Sequence, residues 1–236
     1  MARSPETSAF WSGFRDATPF VMVAAPFAFL FGMLATEAGL NIFETMSFSF
    51  VVLAGAAQFT ALSLMEENAP TLIVLASALA VNLRMAMYSA SITPHLGAVP
   101  FWWRALAAYF LVDQAYALSI AKYEDQPRMS TSEKLAYFFG TVAPVCPLWY
   151  VFTLVGAIAG KQIPDTWAID FMMPMAFTAM IGPLLRTPAH MIAAFVGVSV
   201  SLLAAGIPFN LGLIVAGLAG MMAGARAELW LERKLA

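Results

Sequence analysis

The sequence predicts an all-α protein that crosses a membrane many times. Apolar residues occupy 61% of its 236 positions and charged residues only 11%, whereas a soluble domain is about half apolar and about a quarter charged. The apolar residues also form continuous runs instead of alternating at every second position, which favours helices over a membrane β-barrel. A third observation, the distribution of lysine and arginine, tests how many of these helices cross.

Eight runs approach the length of about 20 residues that a helix needs to cross the hydrocarbon core. In chain order they are residues 17–39, 45–65, 69–90, 101–121, 135–159, 167–185, 188–206 and 209–226. Only the short stretch "EENA" separates the second run from the third, so a re-entrant hairpin is the alternative for that pair. We therefore predict about eight transmembrane helices, with seven as the alternative count.

Lysine and arginine gather in the cytoplasmic loops of membrane proteins, so their positions test the count. Eight crossings with a cytoplasmic N-terminus place both chain ends, and nearly all the lysines and arginines, in the cytoplasm. Only Arg104 and Lys161 then fall outside, and Arg84 lies within a span. Seven crossings would put one charged end on the wrong side. The positive-inside pattern thus favours eight.

The longest polar linker, residues 122–134, lies at the midpoint of the chain. We predict a single transporter domain over residues 1–236, with possible halves at 1–121 and 135–236. A weak match between these halves suggests a parallel repeat of four helices each. Their polar residues do not repeat, because Gln58 aligns with alanine in the second half. A binding site in this domain would therefore be asymmetric.

The sequence lacks the residues that several classes of function require. The chain has one cysteine, Cys146, and two histidines, His95 and His190, that lie far apart, so we expect neither a metal site nor another cofactor. A net charge of −2 does not indicate a basic surface for nucleic acid. The sequence contains no GxxxxGK[ST] phosphate loop and no HExxH or GxSxG signature, so an enzyme is not expected.

The informative residues are polar groups inside the predicted spans. A charged side chain at the centre of a helix costs roughly 2.5–3.5 kcal/mol on the insertion scale, so it usually faces a cavity or a partner. The candidates at apparent mid-depth are Gln58, Asn82, Arg84, Asp113, Gln114 and Asp170. A hydrogen bond between helices is the plainer interpretation of Gln58, and a solvated helix start is the plainer interpretation of Asp170.

Helical periodicity gathers some of these residues into two stripes. One stripe holds Arg84, Tyr88 and Ser91, and the other holds Tyr109, Asp113 and Tyr116. A cationic stripe opposite an acidic one suits a zwitterion, whose carboxylate and ammonium groups need opposite partners. The alternative is an ion pair between Arg84 and Asp113 that only fixes helix packing.

Prolines lie inside three of the predicted spans and can interrupt or kink a helix. They fall inside the first, fifth and sixth predicted spans, at Pro19 and Pro26, Pro144 and Pro147, and Pro174 and Pro183. Proline removes a backbone donor, and interrupted helices often place free backbone groups at a transporter's binding site. The prolines therefore favour a transporter only slightly, because prolines are also tolerated as simple kinks.

Six stretches carry a family resemblance over nearly the whole chain. They are "PFAFLFGMLATEAGL", "VVLAGAAQFTALSL", "VNLRMAMYSASITPHL", "LVDQAYA", "CPLWYVFTLVGAIAGKQIP" and "IDFMMPMAFTAMIGPLL". Together they resemble the AzlC family, the large subunit of two-component branched-chain amino acid exporters. The "GAAQF" and "NLR" blocks are the most specific. The chain departs from the family pattern at Met85, where histidine is common, and at Gln114, where glutamate is common.

The resemblance implies export of valine, leucine and isoleucine, with methionine as a further candidate, across a bacterial cytoplasmic membrane. It also implies a small AzlD-type membrane subunit as partner. We expect Arg84 to hold the substrate carboxylate, with Asn82 and Gln58 as hydrogen-bond donors. Asp113 is the candidate for the ammonium group or the coupling proton. Tyr88 and Gln114 complete the predicted substrate-binding set. The alternatives are a channel-like pore for a small anion and a membrane scaffold without transport.

Overall fold

A computed structural model describes residues 4–160, 185, 187–207 and 211–235 of the chain. These residues form helices and no strands, so the predicted all-α class is confirmed. Four helical stretches are long and apolar enough to cross a membrane, namely Pro5–Glu37, Thr71–Leu96, Thr131–Gly160 and Ile214–Leu231. The predicted span 167–185, with Asp170, Pro174 and Pro183, lies almost entirely outside the described residues, and its site and proline assignments are not described.

The described part of the chain contains ten α-helices. They are α1 (Pro5–Ala17), α2 (Val21–Glu37), α3 (Ile42–Val51), α4 (Gly55–Glu66), α5 (Thr71–Leu96), α6 (Phe101–Tyr109), α7 (Asp113–Asp125), α8 (Thr131–Gly160), α9 (Pro188–Leu203) and α10 (Leu211–Leu235). A 3-10 turn, Thr18–Phe20, joins α1 to α2. Two compact units result. The first unit contains Met1–Leu62 and Ala78–Trp167, and the second contains Ser63–Ser77 and Ala168–Ala236.

In the first unit, α1 and α2 run along α8 in the same direction, and glycines let their backbones touch. A Cβ atom added at Gly32 of α2 would meet a backbone carbonyl of α8, and one added at Gly156 of α8 would meet a carbonyl of α2. Gly13 of α1 and Gly140 of α8 form the same reciprocal contact further along. Small residues permit this close approach, which gains dispersion energy where lipid supplies no hydrophobic drive.

Two predicted spans are interrupted. The 45–65 run divides into α3 and α4 at residues 52–54, and the 101–121 run divides into α6 and α7 at residues 110–112. The prolines do not mark these interruptions. Pro26 lies inside the continuous helix α2, and Pro144 and Pro147 lie inside the continuous helix α8. These three prolines are therefore tolerated within continuous helices, as a membrane helix permits where its freed carbonyls find other partners.

The contacts of α6 and α7 with α8 show that the 101–125 segment turns back on itself. Along α6, Trp103 packs on Phe139, with ring centroids 5.6 Å apart, and Tyr109 reaches Tyr150, so α6 runs parallel to α8. Along α7 the order reverses, because Tyr123 at its end bonds to the start of α8. The single crossing predicted at 101–121 is instead a re-entrant hairpin, and its two ends lie at the end of the first unit where α8 begins.

The second unit contains the helices α9 and α10, which match two of the predicted spans. Thr187 caps α9 by accepting a hydrogen bond from the backbone N–H of His190 at 3.2 Å. A Cβ atom added at Gly220 would lie 2.9 Å from the carbonyl oxygen of Ala193 on α9. Gly224 lies against the same alanine. Small residues of α10 therefore serve packing within this unit.

Candidate functional site

Arg84 of α5 and Asp113 of α7 form an ion pair in the first unit. Arg84 Nη2 lies 3.0 Å from Asp113 Oδ2. The two side chains are 34% and 46% exposed, so the pair lies at an open surface of the protein rather than in its core. The sequence predicted both residues as site candidates, and the fold brings them together.

The ion pair leaves hydrogen-bonding capacity unused. Arg84 Nε and Asp113 Oδ1 are each buried and have no hydrogen-bond partner among the described residues. Nε and Nη2 form one edge of the guanidinium fork, which can hold both oxygens of one carboxylate side by side. Asp113 therefore occupies only half of this edge. An incoming carboxylate that engaged both nitrogens would satisfy a donor that the ion pair leaves free.

The interruption at residues 110–112 positions Asp113. Val112 has extended backbone angles, φ −95° and ψ 161°, and α7 begins at Asp113 without a side-chain cap. The first N–H groups of a helix lack intrahelical partners and carry partial positive charge. A carboxylate near this helix end gains typically 0.3–1 kcal/mol. The interruption thus places a negative residue where the backbone favours one, opposite Arg84.

The two predicted stripes meet along one line between α5 and α7. One turn beyond the ion pair, the rings of Tyr88 and Tyr116 stack with centroids 4.1 Å apart and an interplanar angle of 12°. The Tyr116 hydroxyl donates a hydrogen bond to Ser91 Oγ at 3.0 Å. Tyr88 also interacts electrostatically with both Asp113 and Arg84. These contacts show that α5 and α7 run in the same direction.

Tyr109 does not belong to the acidic stripe. It is the last residue of α6, so the interruption turns it away from the line of Asp113 and Tyr116. Its hydroxyl donates to the Phe50 carbonyl at 2.7 Å and lies 2.8 Å from the Tyr150 hydroxyl. The predicted grouping of Tyr109 with Asp113 is therefore wrong, because it assumed one unbroken helix.

Tyr109 instead links the two interruptions. Phe50 lies in the last turn of α3, where helix carbonyls lack intrahelical partners, and the Tyr109 hydroxyl satisfies one of them. Tyr150 of α8 supports this contact, because its ring stacks on Phe50 with centroids 4.2 Å apart. Sequence reasoning missed Tyr150, since nothing in "CPLWYVF" separates it from an ordinary aromatic residue of a span.

The interruption between α3 and α4 contains no charge. Trp149 of α8 covers it, because its indole N–H donates to Ser49 Oγ at 3.1 Å and a Cβ atom added at Gly55 would lie 2.8 Å from its ring. Gln58, one turn into α4, is fully buried. Neither amide atom of Gln58 has a hydrogen-bond partner among the described residues. A buried unsatisfied group of this kind usually costs about 1–3 kcal/mol.

The remaining candidates do not join the ion pair. Asn82 is half-buried with its Oδ1 atom unpartnered, and it lies two positions from Arg84, about 200° around the helix. Gln114 is half-buried at the second position of α7. Within the described ranges, no hydrogen bond links Gln58, Asn82 or Gln114 to Arg84 or Asp113. The same part of the chain holds no cluster of three or more metal-ligating side chains.

Long apolar helices, interrupted helices between them and an ion pair at the interruption are typical of membrane transporters. The model of the AzlC protein family matches residues 19–163, more than half of the chain. The chain therefore belongs to the AzlC family.

Its relatives are membrane proteins. The inner membrane protein YgaZ of Escherichia coli is 26% identical over 185 residues, which cover 75% of this chain and 74% of the relative. An uncharacterized membrane protein of Archaeoglobus fulgidus is 28% identical over 225 residues, covering 91% and 94%. One from Helicobacter pylori is 27% identical over 176 residues, covering 72% and 75%. No solved structure matches the chain.

Proposed function

We propose that this chain is the large subunit of a two-component secondary transporter that exports branched-chain amino acids across the bacterial cytoplasmic membrane. Its substrates are valine, leucine and isoleucine, with methionine as a further candidate. The observation that supports this function best is the half-occupied Arg84–Asp113 ion pair at the start of α7. A zwitterion offers a carboxylate to Arg84 and an ammonium group to Asp113.

Substrate binding is an exchange of partners in this proposal. The amino acid carboxylate takes the Nε and Nη2 edge of Arg84, which Asp113 holds through only one oxygen. Asp113, released from Arg84, then binds the ammonium group or accepts a proton. The exchange keeps the charge of Arg84 compensated in both states, which avoids the cost of an unpaired charge in a membrane protein.

The distribution of charges in the first unit supports the proposed orientation. Arg104, Lys122 and Lys134 lie at the end where α8 begins, because Arg104 bonds to the Gly97 carbonyl and His95 nearby contacts Lys134. Lysine and arginine favour the cytoplasmic side. We therefore propose that this end, together with the N-terminus, faces the cytoplasm. The hairpin moves Arg104 to this side, which strengthens the positive-inside pattern.

The proposed partner is a small AzlD-type membrane subunit. Gly220 and Gly224 of α10 pack on α9, whereas Gly217 has no atom within 4 Å of an added Cβ atom. An exposed glycine on a membrane helix permits close approach by another helix. Co-expression with a small AzlD-type membrane protein should raise the yield of folded chain. Full transport by this chain alone in liposomes would contradict the two-component proposal.

The function can be tested by leucine counterflow in proteoliposomes that contain the chain with its small subunit, with Arg84→Lys as the test variant and Arg104→Lys as its matched control. Lysine keeps the charge but cannot hold two carboxylate oxygens in a planar fork. We expect Arg84→Lys to lose counterflow by at least about tenfold, while Arg104→Lys, changed at an exposed surface, behaves as the parent. Parent-like counterflow in Arg84→Lys would contradict the assignment. A flux that does not saturate and does not accumulate leucine would indicate a pore. The complete absence of flux would indicate a scaffold.

A further inference from the structure

A row of polar side chains extends from the ion pair along the contact between α5 and α7. We name it the α5–α7 seam and define it as Tyr88, Ser91 and His95 of α5 with Tyr116, Ser119 and Tyr123 of α7. The helices run in the same direction, so these residues recur at about one-turn intervals from Asp113 to the end of the first unit where α8 begins.

The first part of the seam continues directly from the site. Tyr88 interacts electrostatically with Asp113 and stacks on Tyr116. The Tyr116 hydroxyl then donates to Ser91 Oγ at 3.0 Å. Each of these hydroxyl groups can donate one hydrogen bond and accept others, so each can pass a proton on.

The second part reaches the start of α8. Ser119 is fully buried and its Oγ atom has no hydrogen-bond partner among the described residues. One turn further, His95 lies against the ring of Tyr123, with centroids 5.0 Å apart. His95 Nδ1 lies 3.1 Å from Lys134 Nζ of α8. Because an ammonium group only donates, Nδ1 accepts and Nε2 bears the proton.

Charged groups surround this last position from two helices. Lys134 of α8 contacts His95 directly, and Glu124 of α7 acts on it electrostatically. Lys134 Nζ also lies over the Tyr123 ring, 5.5 Å from its centroid. The seam therefore ends beside a half-buried lysine and an exposed glutamate. A row of groups that exchange protons, ending beside charged groups, is what a proton path requires.

We propose that the α5–α7 seam conducts the coupling proton between Asp113 and the end of the first unit where α8 begins. This inference rests on the proposed function. The Asp113 carboxylic acid gives its proton to the neighbouring hydroxyl or a bridging water. Each group along the seam forms one new bond to hydrogen and releases the hydrogen it held, so no group changes overall. Water can bridge the steps that side chains do not span, and Ser119 offers it a buried partner.

In the proposed orientation this exit faces the cytoplasm. An exporter driven by proton entry must release its proton on that side, and the seam supplies the release path. Met85 and Gln114 offer no ionisable groups next to the site. The path therefore runs through hydroxyl groups and His95 instead of through those two positions.

The test compares two kinds of transport in one preparation of the chain with its small subunit. Leucine counterflow needs no net proton movement, whereas accumulation driven by an imposed pH gradient does. Tyr116→Phe removes one hydroxyl and keeps the ring that stacks on Tyr88. Ser91→Ala removes its hydrogen-bond partner. Thr93→Val is the matched control, because the Thr93 hydroxyl bonds to the Ser89 carbonyl of its own helix at 2.6 Å.

We expect Tyr116→Phe and Ser91→Ala to keep counterflow within about twofold of the parent and to lose gradient-driven accumulation by at least about tenfold. The double variant should lose no more than the single ones, and Thr93→Val should match the parent in both assays. Unchanged accumulation in Tyr116→Phe, or equal loss of both activities, would overturn the proton path alone. A parent that exchanges leucine but does not accumulate it would also overturn the path. A parent without counterflow would overturn the proposed function itself.

Discussion

The first unit contains two interrupted helices that differ in charge and exposure. At the α3/α4 interruption, Gln58 is fully buried and bears no charge. At the α6/α7 interruption, Asp113 is 46% exposed and paired with Arg84. Both contain polar atoms without partners. A helix interruption thus produces a buried, neutral site in one case and a partly exposed, charged site in the other.

This difference suggests a division of labour. The neutral interruption is held by Trp149 and by the Tyr109 hydroxyl on the Phe50 carbonyl, so it supports the tip of the hairpin. The charged interruption has donor and acceptor atoms without partners, on side chains that are partly exposed. We therefore assign charge recognition to the α6/α7 interruption and positioning to the α3/α4 interruption.

The largest expected effect is on proton coupling at the charged interruption. Asp113→Asn keeps the shape of the side chain but cannot cycle between a charged and a protonated form. We expect it to retain leucine counterflow and to lose gradient-driven accumulation by at least about 100-fold. Both activities are measured on the same reconstituted protein. If Asp113 only fixes packing, the variant should instead be destabilised, because Arg84 loses its partner. Equal loss of both activities in a stably folded variant would count against the coupling role.

The neutral interruption should respond in the opposite sense. Gln58→Leu replaces two unsatisfied polar atoms by apolar ones of similar volume, so we expect the free energy of unfolding to rise by about 1–3 kcal/mol. Counterflow should fall at the same time if Gln58 is a hydrogen-bond donor to the substrate, as the sequence predicts. Thermal unfolding in detergent and counterflow test the two parts. A less stable variant would show that Gln58 has partners in the folded protein.

The smallest expected effect concerns the link between the interruptions. Tyr109→Phe leaves the Phe50 carbonyl without its donor and should destabilise the first unit by about 1 kcal/mol. Tyr150→Phe is the control, because it removes the neighbouring hydroxyl but leaves the carbonyl bonded to Tyr109. A lower melting temperature for Tyr109→Phe than for Tyr150→Phe supports the link. Equal melting temperatures would contradict it.

The sequence predicted the charged site better than the fold around it. Arg84 and Asp113 were identifiable because charges inside apolar runs are costly and seek partners. The α6/α7 interruption was not, because "FLV" at residues 110–112 is as apolar as its neighbours and contains neither glycine nor proline. Hydropathy measures the length of an apolar run and not its direction. A hairpin and a crossing of the same length therefore give the same pattern.

The prolines do not show where the helices are interrupted, for a related reason. Pro26 and Pro144 lie inside predicted spans, yet α2 and α8 continue through them and pack closely on each other. Whether a proline breaks a helix depends on whether neighbouring groups satisfy the freed carbonyls, which is a property of the packed structure. The Tyr109–Phe50 contact likewise joins residues distant in the chain. No local pattern in one sequence can indicate it.

The central claim is that Arg84 recognises the substrate carboxylate. Its most direct test compares the binding of leucine and leucinamide, which lacks the carboxylate, to the parent and to Arg84→Lys by calorimetry. We predict that the parent prefers leucine by at least about tenfold and that Arg84→Lys loses most of this preference, because lysine cannot hold both oxygens. The same preference for leucine in both proteins would contradict the claim.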